Sequence, residues 1–196
     1  MAEPALTFAG LCAIVSAAAV IIGFVTLIMF FVTGEPWGTM NDIASIVIAL
    51  SVLPVLVQLY LMSRVPAPLA SFYLFLLGIM AMLLVTAFQT LLVARLVTFT
   101  QTAIIVPLAF GLFGAVLMFY SYVGWTAEVQ PRGLAALGFA AGAGYLLTIA
   151  GFLAGGQNHP LTVLGGLAAV ICYPPWAFLL GLLLLSGGLG ADFGRP

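Results

Sequence analysis

The chain has 196 residues, 65% of them hydrophobic and 5% charged, with a formal net charge of −1 and a mean hydropathy of +1.33. A soluble domain carries about 25% charged residues because its surface must face water, so this composition excludes a water-soluble globule and indicates an integral membrane protein. There is no lysine, and the arginines are Arg64, Arg95, Arg132 and Arg195, which excludes a basic surface for nucleic acid.

Six stretches reach the roughly 20 apolar residues that a helix needs to cross the hydrocarbon core: residues 6–32, 43–62, 69–94, 103–123, 134–154 and 161–185. Lipid offers no partner for an open strand edge, so the expected fold is all-α, a polytopic bundle of about six transmembrane helices with short loops, forming one unit over residues 1–196. The first stretch lacks the positively charged start of a secretory signal and is too long for one; it reads as a span that stays. Cys12 and Cys172 both fall inside apolar stretches, which argues against a disulfide framework or a thiolate metal site. With six spans, the two termini and the loops after spans two and four share a side. That side carries Arg64, Arg132 and Arg195 against Arg95 on the other, so the positive-inside rule places both termini in the cytoplasm.

Between spans one and two lies "TGEPWGTMND", with Glu35 and Asp42. Thr39-Met40-Asn41-Asp42 fits a capping pattern at a helix start, which assigns Asp42 to the first turn of span two, where a negative charge suits the helix dipole. Glu35 is left over, and pairing with Arg95 at the end of span three is its simplest use. Span two contains Gln58 and Pro54, an expected kink; span three contains Gln89, and Gln101 follows it. Both Gln58 and Gln89 are expected to bond across helices. Pro107 is near enough to a helix start to be harmless. Span five, "GLAALGFAAGAGYLLTIAGFLAGG", holds two G-x-x-x-G pairs, Gly138/Gly142 and Gly151/Gly155. Small residues let helix backbones approach closely, so this span packs on neighbours within the chain, or on a second copy or another membrane protein. Span six contains "CYPPWAF", in which Pro174 and Pro175 remove two helix donors and predict a break near mid-membrane, beside Tyr173.

The absences are informative. No Asp, Glu, Lys or His lies near the middle of a span, where proton-coupled transporters keep ionisable groups. No His pair stands ready for haem and no lysine for a Schiff base. No cofactor, no metal site and no catalytic residue is expected.

Three stretches carry a resemblance: "GEPWGTMNDI" (34–43), "QPRGLAALG" (130–138) and "YPPWAFLLG" (173–181). In order and placement they resemble a group of small, bacterial, multi-pass membrane proteins of the domain-of-unknown-function kind. Trp37 and the double proline depart from the pattern of that group, which has Phe at the first position and one proline at the second. The resemblance implies a six-helix fold in a bacterial inner membrane and transfers no activity.

Two readings follow. In the first, the chain is a non-enzymatic accessory or scaffold subunit that engages lipids and other membrane proteins, its polar residues serving as caps, pairs and interhelical bonds. In the second, it is a carrier or receptor for a small, largely apolar ligand entering from the outer face. Glu35, Asp42, Gln89, Arg95 and His159 then form the mouth of the site, and the break at Tyr173 its floor; a Glu/Asp/His metal site is a sub-case. A membrane enzyme comes third, for want of a nucleophile and base at working spacing. The sequence reading takes the first. A cavity joining the polar residues would favour the second, and a dry interior the first.

Overall fold

The computed structural model describes residues 3–188; Arg195, which entered the orientation argument, lies outside them. The described chain is helical almost throughout: α1 (Glu3–Thr33), α2 (Trp37–Ser63), α3 (Pro68–Val93), the single-turn α4 (Phe99–Thr102), α5 (Ile105–Thr126), α6 (Arg132–Gly155) and α7 (Pro160–Leu185). Six segments are long and apolar enough to cross a membrane, with α4 and α5 together making the fourth, Phe99–Thr126. Proline opens α3 and α7, a position where its missing N–H would have had no helical partner. The expected architecture is observed, and the largest boundary error is at α2, which starts at Trp37 instead of residue 43.

The helices form a closed ring in chain order. Each packs on the next, α1 on α2, α2 on α3, α3 on α5, α5 on α6 and α6 on α7, and α7 returns to α1. Helices pack about 8–10 Å apart, so in a ring of six the central axis lies about as far from every helix, beyond the reach of small side chains. Large residues fill that space over most of its length, among them Leu56, Leu59, Met82, Phe113, Leu117 and Tyr120, all fully buried. A light contact between α2 and α5 across the ring flattens it. Outside, Leu69, Phe72, Tyr73 and Met80 of α3 are exposed, as lipid-facing positions should be.

Close backbone approach holds neighbouring helices together. A Cβ at Gly142 would stand 2.5 Å from the carbonyl oxygen of Gly114 on α5, and one at Gly144 would stand 2.5 Å from the backbone N of Ala169 on α7. The glycines of α6, Gly133 apart, are thus spent on partners within the chain. At the seam between the first and last helices, Gly10 and Gly181 face each other, and a Cβ on Gly181 would lie 2.7 Å from the Gly10 carbonyl oxygen. The same seam carries the bond from the Tyr173 hydroxyl to Ser16 Oγ, 3.1 Å, while Ser16 donates to the Ala13 carbonyl at 2.8 Å. On the other side, Tyr120 of α5 donates to the Ser71 carbonyl of α3, and Ser71 Oγ donates to the Ser63 carbonyl of α2.

The break expected at Pro174-Pro175 does not occur. Helix α7 is continuous from Pro160 to Leu185, because Tyr173 and Trp176 on either side are clamped in the core; Tyr173 contacts Phe113, Tyr145 and Trp176 with ring centroids 5.5–6.1 Å apart.

Replacing Gly181 with Ala should cost about 1–3 kcal/mol, since the added methyl meets a backbone carbonyl that cannot turn aside. Gly133→Ala, where a Cβ meets nothing within 4 Å, should leave the melting temperature in detergent unchanged. Equal melting of the two variants would contradict the seam contact.

Candidate functional site

The turn between α1 and α2 reverses the roles expected of its two acids. Gly34, with φ +78°, ends α1 and donates its N–H to the Phe30 carbonyl at 2.8 Å. Pro36 stands at the N-cap position of α2 and offers no side-chain bond. Glu35 does the capping: its Oε2 accepts from the Thr39 backbone N–H at 3.3 Å and from Thr39 Oγ1 at 3.0 Å. Asp42 is no cap. Because α2 begins six residues earlier than expected, Asp42 sits well inside the helix, about 7–8 Å along its axis from Trp37 at 1.5 Å per residue, and is half-buried.

Asp42 faces a cavity of about 630 Å³. All six membrane-length segments contribute to its wall, and it occupies the stretch of the ring interior that large side chains do not fill, at the end carrying the α1–α2, α3–α4 and α6–α7 connections. Its size falls in the range of small-molecule sites. The wall is mainly aromatic and aliphatic: Phe24 and Phe31 come from α1, Phe99 from α4, Phe110 from α5, and Tyr145 and Phe152 from α6. Phe110 and Tyr145 stack at 5.9 Å, nearly parallel. Polar groups are few and convergent. Asp42 and Asn41 stand on α2, Gln89 on α3, Thr148 on α6, Thr162 on α7, and Gln157 and Asn158 on the α6–α7 connection.

Gln89 and Glu35 are the groups that act on the Asp42 carboxylate, the first through its amide and the second through its charge. Gln89 is only 6% exposed, yet its Oε1 has no hydrogen-bond partner among the described residues. The expected interhelical bond through that oxygen is therefore absent. Gln58 Oε1 on α2 is likewise unpartnered, but that residue does not line the cavity. The threonines of the wall have already spent their protons locally: Thr102 on the Phe99 carbonyl, Thr148 on that of Gly144, and Thr162 on that of Gly156. Their lone pairs remain.

The other predicted site residues do other work. Arg95 is exposed in a left-handed conformation, φ +59°, after the end of α3. It does not pair with Glu35; among the described residues the ion pair that forms is Arg132 to Glu128, 3.1 Å, exposed at the opposite end of the ring. His159 caps α7, with Nδ1 accepting from the Leu161 N–H at 3.3 Å. Gln101 closes a capping box on α4, its Oε1 accepting from the Thr98 N–H at 2.8 Å. Tyr173 is fully buried one turn beyond the lining residue Ala169 and underlies the cavity through its ring contact with Tyr145. Glu35, Asp42 and His159 are not gathered into a metal-binding group among the described residues. Of the six predicted site residues, Asp42 and Gln89 line the cavity. Asn41, Gln157, Asn158 and Tyr145 were missed; the first three carried a signal as a cluster of amides at the span ends that share this face, and Tyr145, in the middle of α6, carried none.

By fold, the chain is a six-helix multi-pass membrane protein. No protein-family model, no curated protein and no solved structure matches it, so its site is argued from its own geometry.

Glu35→Ala should lower stability by about 0.5–1 kcal/mol, the usual worth of a helix cap, whereas Arg95→Gln should leave it unchanged; equal losses in detergent melts would restore the ion pair. Gln89→Leu should hold or raise the melting temperature of the empty protein, since it removes a buried acceptor without a partner. A loss above about 2 kcal/mol would show that the Gln89 amide supports the packing.

Proposed function

We propose that this chain is a protein of a bacterial inner membrane, with both termini cytoplasmic, that binds a small, largely apolar ligand in the cavity at the outer end of its helix ring. The observation that carries this is the cavity itself, lined by every membrane-length segment, with Asp42 and a few further polar groups set in an apolar wall. A pocket with an apolar wall and a few convergent polar groups is the common form of a small-molecule site. The arginine distribution and the resemblance of the three motifs support the membrane and the orientation. Binding suits the residues better than catalysis, because the wall sets no second acid and no histidine beside Asp42 among the described residues. Self-association through α6 draws little support, its close-packing glycines being occupied by α5 and α7.

Gly166 gives a clean test. It lines the cavity, and a Cβ there would meet only Thr148 Oγ1, at 4.0 Å, so Gly166→Leu grows into the open space without disturbing the helices. Native mass spectrometry of the wild-type protein, extracted gently from its own membrane, should show a bound small molecule, and Gly166→Leu should lose it while melting at the same temperature or higher. Wild-type protein without a small-molecule adduct, in a stoichiometric complex with another membrane protein, would support the accessory-subunit reading instead.

A further inference from the structure

The cavity's charge is one-sided. Among the described residues Asp42 is the only acid in its wall, and no arginine, lysine or histidine lines it. An ionised carboxylate accepts about four hydrogen bonds, and the Gln89 amide supplies at most a part of that. The wall threonines donate to their own helices and offer only lone pairs, and the amides of Asn41, Gln157 and Asn158 bring donors but no charge. Six aromatic rings surround these groups, and the faces of such rings attract cations.

We propose that the ligand is a lipophilic amine whose protonated nitrogen is held against the Asp42 carboxylate, with its apolar body among the phenylalanines. This rests on the reading of the cavity as a ligand site. A cation is called for because the wall supplies one negative charge and, among the described residues, no positive one to balance it. The amine is a free amphiphile rather than an aminophospholipid headgroup, since a headgroup phosphate would find no cation in the wall. Anionic ligands are disfavoured by Asp42 itself, with Glu35 close outside.

Three molecules of one shape separate the possibilities: phenylbutylamine, phenylbutanol and phenylbutyrate, titrated onto the purified full chain in phosphatidylcholine nanodiscs by calorimetry. The amine should bind at least about tenfold more tightly than the alcohol, the value of one charge-assisted hydrogen bond, and the carboxylate most weakly. In Asp42→Asn the amine's advantage over the alcohol should vanish, with a thermal melt showing that the variant is folded; an advantage that survives in the folded variant would overturn the assignment. Alcohol binding equal to or better than amine binding in the wild type would overturn the amine assignment and leave the cavity reading standing. If none of the three binds, or Gly166→Leu blocks none of them, both fall. Weaker amine binding in nanodiscs containing phosphatidylethanolamine would overturn the free amphiphile in favour of the lipid headgroup.

Discussion

Everything in this fold depends on the return of the last helix to the first. Lipid tails are as apolar as the helices, so no hydrophobic force drives the spans together; contact has to come from packing and from hydrogen bonds. At the α1–α7 seam both are present, in the bare approach of Gly10 to Gly181 and in the bond from Tyr173 to Ser16. Without that seam the six helices would form an open arc, and the space that is now a cavity would be a groove filled by lipid.

A ring of six has a consequence that tighter bundles do not share: its axis must be filled. The aromatic layer of Phe113, Tyr145, Tyr173 and Trp176 does this at mid-depth. Below it, Leu117 and Tyr120 continue the filling, and Tyr120 links α5 to α3. Above it the side chains that would close the ring point elsewhere or are too small, as at Ser45 and Gly166. The cavity thus has a rigid floor and a wall composed of segments that are separately anchored. Asp42, Asn41, Gln89 and the wall threonines are held on helices, which favours precise placement, while Gln157 and Asn158 come from the α6–α7 connection.

Hydropathy made the number of spans and most of their ends legible, because a run of apolar residues long enough to cross lipid has no other good use. It could not show where α2 begins. Trp37, Thr39 and Asn41 are polar or amphipathic enough to read as loop, and the helix reaches back through them because Glu35 satisfies Thr39. That shift moved Asp42 from a cap into the wall of the cavity. Arg95 and His159 were misplaced for a related reason. Sequence gives the end of the bundle on which a residue lies but not the backbone path of the connections, and it is there, after α3 and before α7, that Arg95 turns outward and His159 is taken up as a cap. The cavity itself had no signature, being a place where atoms are missing. Gln89 was noticed only as an amide in an apolar run, with interhelical bonding as its default use.

The seam has a further meaning for how the protein is made. Ser16 and Tyr173 are 157 residues apart in sequence, the first in α1 and the second in α7, which leaves the ribosome after the other described spans. Until α7 arrives, α1 shows the lipid a strip of small residues meant for another helix, while Ser16 keeps its bond to the Ala13 carbonyl, and the interior stands open along one side. The ring therefore cannot close helix by helix as the spans emerge; it closes only when α7 is in place.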